Sequence, residues 1–319
     1  MHDERFSFLK SLVEAPSPSG FEGPAREIWR REAAGVAADL RTDYHGNTIA
    51  TVNPGGAPRV LLAGHVDEIG FMATYIDDDG FVYFGPIGGH DPVIAPGQRV
   101  YVHAASGPIL GAIGRRPIHL MQGDERDKKV ELRDLWIDVG ARSRDEVQDR
   151  VRVGDPITFA VGLERLSDDR GGSGRIVSRA LDNKMGAFIV AETLKEVAAR
   201  HPVAALIGVA TVQEEVGLRG AYTSTFAVDP HVGIAVDVTH ALDHPGAGSD
   251  KQRLGDIRLG KGPVIGRGPT VNPVVFAASS PPRRRPVCPI RSSPFRDLRG
   301  RTPTPSSARA AVSPPAWSA

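Results

Sequence analysis

The run Arg59-Val60-Leu61-Leu62-Ala63 does not alternate between apolar and polar residues. A strand with one wet face must alternate, so this strand has to be covered on both faces. Two more apolar runs follow, Ala204 to Val212 and Val232 to Val238, and a long amphipathic helix from Asp182 to about Ala199 precedes the first of them. Strands alternating with long helices specify an α/β layered sheet. Two N-terminal helices are expected, Glu4 to Val13 and Phe21 to Ala34, separated by the breaker run Pro16-Ser17-Pro18-Ser19-Gly20. Shorter strands are expected at Asn47 to Val52 and Gly70 to Ile76.

Between about Gly80 and Ala160 the pattern changes. Short strands alternate with Gly and Pro at Phe81–Tyr83, Arg99–Val102, Ile109–Ile113 and Trp136–Val139, with one short helix at Ser143–Asp149. That pattern predicts a small β-barrel or sandwich inserted into the α/β domain.

Charge divides the chain differently. The segment from Ala277 to Ala319 holds eight Arg, no Lys and a single acid, Asp297; the first 276 residues hold 31 basic and 37 acidic side chains. The overall +1 therefore averages an acidic body and a basic tail. No apolar run approaches the roughly 20 residues that span a bilayer, and the N-terminus lacks a signal-like stretch. The one cysteine, Cys288, leaves the body without disulfides or thiolate ligands. The expectation is a cytoplasmic protein that binds neither membrane nor nucleic acid.

Four polar clusters fall at or near the ends of the apolar strands: Gly64-His65-Val66-Asp67-Glu68, Ala180-Leu181-Asp182-Asn183-Lys184, Gln213-Glu214-Glu215-Val216-Gly217 and Val236-Asp237-Val238. In open α/β sheets, sites form beyond the carboxyl ends of strands. Carboxylates converging there repel one another unless a cation neutralises them. One His with several acids and no Cys suits a catalytic zinc, manganese or cobalt pair. Asp67 can accept the second ring N–H of His65 and fix its tautomer. Taken singly each piece is bland: His-x-Asp matches by chance, Asp182 is a good helix cap, and paired Glu residues usually line a solvated face. An Asp237 at an apolar strand is harder to dismiss, because a buried carboxylate needs a partner.

Together the segments Ala63 to Phe71, Ser178 to Lys184, Val212 to Gly217 with Gly220-Ala221, and Ala235 to Val238 resemble the M42 metalloaminopeptidases, the glutamyl and tetrahedral aminopeptidase type, some of which carry an endoglucanase label. The resemblance runs from about residue 5 to Phe276 and includes Ile87-Gly-Gly-His90 and Trp136-Ile-Asp-Val-Gly140. It implies a layered mixed-sheet zinc-peptidase domain at 1–70 and 161–276, with a β-barrel dimerisation domain inserted at 71–160. It further implies that Asp182 bridges two divalent ions, zinc or else cobalt or manganese. His65 and Asp237 complete one ion site and Glu215 binds the other. Glu214 acts as general base and Asp67 orients His65. Peptides would be the substrates, and a homo-oligomer, the dodecamer of the family, the assembly. Alternative readings are a deacylase on the same fold and an inactive assembly subunit; a glycosidase would need carboxylates flanking a sugar in place of a metal cluster.

The pattern departs from that family near its end. Members supply a last His ligand close to the C-terminus, but the ten His residues here end at His244. Pro, Arg, Ser and Ala make up 32 of the 43 residues after Phe276, so 277–319 is expected to be disordered. GC-rich codons for a Thr-Asp-Ala-Asp-Ala-Ile-Gln stretch, shifted by one base, read as Arg301-Thr-Pro-Thr-Pro-Ser306. The expectation is a tail translated out of frame, with a weakened second metal site, low activity and poor solubility.

Overall fold

The computed structural model describes residues 3–123, 126, 128–166, 174–279, 287–289 and 308–313, the last two as backbone only. Two helices open the chain, α1 (Asp3–Glu14) and α2 (Gly23–Ala34). Strands β1 (Asp39–Thr42), β2 (Thr48–Val52) and β3 (Arg59–His65) follow. Next come β4 (Gly70–Ile76), β5 (Val82–Ile87), β6 (Arg99–Ala104), β7 (Gly107–Gly114), β8 (Trp136–Asp138), the short α3 (Arg144–Gln148) and β9 (Pro156–Phe159). A two-stranded ribbon, β10 (Glu164–Arg165) with β11 (Ile176–Val177), leads to α4 (Leu181–Ala198). The chain continues through β12 (Ala205–Thr211), α5 (Arg219–Val228), β13 (Val232–Val236), α6 (Asp250–Leu254), β14 (Val264–Arg267), α7 (Pro273–Ser279), β15 (Val287–Pro289) and β16 (Ala308–Ser313). No described helix is long and apolar enough to cross a membrane.

These elements make one eight-stranded mixed sheet, in the order β1-β2-β12-β3-β13-β16-β14-β15, and one closed barrel, β4-β5-β8-β7-β6-β9. β3 lies between β12 and β13 and runs parallel to both, as its unbroken apolar run requires. Val60 and Leu62 face the cluster built by α1, α2 and α4, around Leu9, Leu12, Trp29 and Leu194. Leu61 and Ala63 face the other side with Ile207, Val209 and Val228 of α5. A fully buried Leu, Ile or Val contributes about 1.5–3 kcal/mol, so this central strand is held from both faces.

Register sets the site. Thr211 pairs with His65 and Ala235 with Ala63, so the carboxyl ends of β12, β3 and β13 lie level. Gly64 lets α4 approach: a Cβ there would sit 2.6 Å from the backbone of Gly186 and Ala187. The Trp29 ring N–H donates to the Ala187 carbonyl at 2.8 Å, fixing the same contact from the α2 side. Any larger residue at 64 would push the start of α4 off the end of β3.

The barrel expected between Gly80 and Ala160 closes around Phe71, Val82, Val100, Leu135, Ile137 and Ile157, and it includes β4 as well. β5, β6 and β7 run one to four residues beyond the sequence runs, β4 matches its run and β8 stops one residue short, while β9 (Pro156–Phe159) has no apolar run to mark it. The tail needs a correction. It was expected to be disordered throughout, yet 287–289 and 308–313 pair into the sheet. β16 fills the edge of β13 in parallel and meets β14 antiparallel. An open central edge of N–H and C=O groups favours any short strand that reaches it, which a compositional reading does not register. The rest of that expectation, with the Arg301–Ser306 stretch, lies outside the described residues.

Candidate active site

His65 ends β3 and is 3% exposed. Its Nδ1 lies 3.0 Å from the Asp67 backbone carbonyl and 3.3 Å from the Asp67 carboxylate. The support expected from the Asp67 carboxylate alone is thus shared with that residue's own backbone. With Nδ1 so engaged, Nε2 faces the Asp182 carboxylate at 3.3 Å and Glu214 at 3.7 Å. Two sets of ligand atoms, those of His65, Asp182 and Asp237 and those of His65, Glu214 and Glu215, each lie within 4.8 Å of one another. All six residues singled out in the sequence therefore meet around one imidazole.

Local structure brings them there. Asp182 opens α4 but does not cap it; no side chain caps that helix, and the residue at its start, Ala180, is left-handed with φ 58°. The Asp182 side chain stays 64% exposed and turned toward His65. The neighbouring Asn183 accepts from the Gly186 amide and donates to the Val236 carbonyl at 2.8 Å. That bond ties the start of α4 to the end of β13, where Asp237 follows directly. β13 stops at Val236, so Asp237 stands just past the strand rather than within it. Glu214 and Glu215 follow β12 in a loop whose first residue, Gln213, has φ 54°. Neither lies on a solvated face: the Glu214 side chain is 21% exposed.

The electrostatics are those of a site short of positive charge. Burial alone would lower the His65 pKa, but hydrogen bonds to Asp182 and Asp67 outweigh it and hold it well above the ordinary value. Burial pushes Glu215 up to about 7, reinforced by the negative charges of Asp182 and Glu214 and opposed by His65. Asp237 rises to about 6 for the same reasons, burial first. Burial raises Glu214 as well. Asp67 resists its own burial, because His65, Ser19 and backbone amides hold it below the usual range.

Sequence reasoning missed the layer behind this cluster. Glu68 is buried and pairs with Arg179 and, at 3.1 Å, with Lys184. The Lys184 ammonium also donates to the Ala15 carbonyl and is fully buried. Burial lowers its pKa to about 8 even with Glu68 beside it. Lys184 thus braces the site from behind and takes no place in a specificity pocket. The signal was present in its position two residues after Asp182 and in Glu68 next to Asp67. Ser19, which in the sequence is only part of the Pro16–Gly20 breaker run, and Glu22, which falls inside the expected Phe21–Ala34 helix, carry no site signal of their own.

An α/β sheet with a closed barrel inserted after β3, and a His with four carboxylates gathered at its strand ends, has the makings of a metal-dependent hydrolytic site. The TET aminopeptidase from a marine sediment Thaumarchaeota archaeon is similar with a TM-score of 0.84 at 30% identity, over 98% of this chain and 89% of that one. The TET1 peptidase of Pyrococcus horikoshii, described as able to assemble into a tetrahedron or a large octahedral shell, gives 0.78 at 29%, over 98% and 91%. Lysyl aminopeptidase from Pyrococcus furiosus is 35% identical over 84% of this chain and 75% of its own length. The profile described as M42 glutamyl aminopeptidase matches residues 46–276, and the chain belongs to that peptidase family.

Proposed function

We propose that this chain is a metal-dependent aminopeptidase that hydrolyses N-terminal residues from peptides through two divalent ions. The observation that carries the reading is the convergence of Asp182, Glu214, Glu215 and Asp237 on the single imidazole of His65. Without a cation two of these carboxyls, Asp237 and Glu215, are driven toward the protonated form. His65, Asp182 and Asp237 would hold one ion; Glu215, with Asp182 shared between the two, would hold the other. The donor set is all oxygen and imidazole nitrogen, which suits zinc, manganese or cobalt. When bound, such ions polarise a scissile carbonyl and lower the pKa of water.

The chain's own groups account for the remaining work. Glu214 takes a proton from the attacking water and returns it to the leaving amine, a role suited to a carboxyl raised by burial. Asp67 keeps His65 in the tautomer whose Nε2 faces the cluster. The ion position served by Glu215 is the weaker, since Glu214 and Glu215 sit on a loop after β12. Self-association of this chain is proposed as well, supported by the assembling relative, with the inserted barrel as its surface.

Substitution of Glu214 by Gln is expected to cut kcat by ~10²–10⁴-fold with metal content unchanged. Dialysis against EDTA should abolish cleavage of aminoacyl-nitroanilides, and added zinc or cobalt should restore it. Full turnover after chelation would refute the metal reading. Preferential cleavage of N-acyl amino acids would select the deacylase alternative.

A further inference from the structure

The residues leading into α2 do not cap it. Glu22 occupies the N-cap position, yet no side chain caps the helix. Instead the Glu22 carboxylate accepts from the Gly20 amide at 2.7 Å and from the Gln213 amide at 3.2 Å. Asp67 accepts the next two amides of that loop, Glu214 N–H and Glu215 N–H, each at 3.1 Å. The Ser19 hydroxyl donates to the Asp67 carboxylate at 2.7 Å. Three consecutive backbone N–H groups therefore point at two buried carboxylates supplied or steadied by the segment between α1 and α2. Ser19 is 8% exposed, Glu22 6% and Asp67 fully buried.

Placing two carboxylates side by side out of water is unfavourable unless donors satisfy them. Here the donors are the amides of the loop that carries Glu214 and Glu215. The same segment is fixed to β3's end from below: the Glu68 amide donates to the Ser17 carbonyl, the Ser17 amide donates to the Glu68 carboxylate, each at 3.0 Å, and the Ser17 hydroxyl donates to the Val66 carbonyl at 2.7 Å. The loop itself starts with Gln213 in the left-handed region, a conformation that a non-glycine residue keeps only when its surroundings impose it.

We propose that Ser19 and Glu22 are positioning residues that, with Asp67, clamp the Gln213–Glu215 amides and so hold the Glu214 and Glu215 carboxylates against His65. The consequence for metal uptake rests on the function proposed above; the clamp itself does not. Asp182 and Asp237, held by α4 and β13, lie outside its reach.

The test uses the full chain and its variants Glu22→Ala, Glu22→Gln and Ser19→Ala, with two readouts. Amide hydrogen exchange should show Gln213 protected in the parent and about tenfold or more faster in Glu22→Ala, as for loss of a charged acceptor. Ser19→Ala should speed Glu214 and Glu215. Glu22→Gln keeps an acceptor oxygen and should restore protection toward the parent. In titration with Co²⁺ alone, followed by its visible absorption, the alanine variants should weaken the looser of two binding steps by about 10–100-fold and leave the tighter step in place. Unchanged Gln213 exchange in Glu22→Ala would overturn the clamp. So would a loss of protection spread over the whole chain that Glu22→Gln does not reverse. If the parent takes up no Co²⁺, the metal reading fails while the exchange data still decide the clamp.

Discussion

Asp182 and Asp237 reach His65 from regular structure, at the first turn of α4 and just past β13, joined by the Asn183 bond to Val236. Glu214 and Glu215 reach the same ring from an irregular loop held by Asp67 and Glu22. The first pair inherits its rigidity from the sheet and from the close packing of α4 on Gly64. The second pair borrows rigidity from side chains about 150 or more residues earlier in the chain. Two halves of one site can thus differ in what they depend on, and a perturbation should separate them.

The largest separation is expected from single ligand losses. Asp237→Asn should lower affinity for the tighter ion by ~100-fold or more, beyond the 10–100-fold typical of an outer-shell loss, while Glu215→Gln should empty only the looser position. Metal content by mass spectrometry after dialysis measures both. If both variants lose the same ion to the same extent, the two halves are one unit and the comparison breaks.

A smaller effect is expected from pH. Metal binding must displace protons from raised carboxyls, so uptake weakens as pH falls. The Glu215 position should lose affinity first, about tenfold for each unit below about 7. The Asp237 position should hold until about 6. For metal-free protein the sign reverses for stability. Carboxyls with raised folded pKa values bind more protons folded than unfolded, so stability falls as pH rises from their ordinary values through 6 and 7. Added zinc should therefore raise the melting temperature more at pH 8 than at pH 5. Equal shifts at both values would contradict the charge picture.

The smallest effect belongs to the barrel. The Ser143 hydroxyl caps α3 through the Glu146 amide, and Ser143→Ala should cost ~1 kcal/mol in denaturant unfolding. Metal uptake should not change. A shift in uptake would mean that the barrel and the strand-end site are energetically coupled.

Much of this arrangement was legible in the chain. The unbroken apolar run at Arg59–Ala63 required a central strand, and β3 sits fourth from one edge of the eight-stranded sheet with parallel neighbours on both sides. Gly- and Pro-spaced short runs required a separate β unit, which closes as a barrel. The five acids and His65 were visible because strand ends are where such residues collect. The buried Lys184–Glu68–Arg179 group was not visible, because an ion cluster looks like ordinary surface charge until burial is known. The pairing of 308–313 with β13 was hidden for a related reason: Ala308-Arg-Ala-Ala-Val-Ser313 carries no strand pattern of its own and is recruited by an open edge.

Local sequence therefore determined which strands are central, where the barrel interrupts them and which polar residues stand at strand ends, since periodicity and burial of apolar runs act over a few residues. Tertiary structure alone decided that Ser19 and Glu22 turn from their helix toward a loop at 213–215 and that Lys184 faces inward. Those outcomes depend on which groups lie within hydrogen-bond distance once segments remote in the chain are folded together, and on the cost of leaving a buried carboxylate without donors.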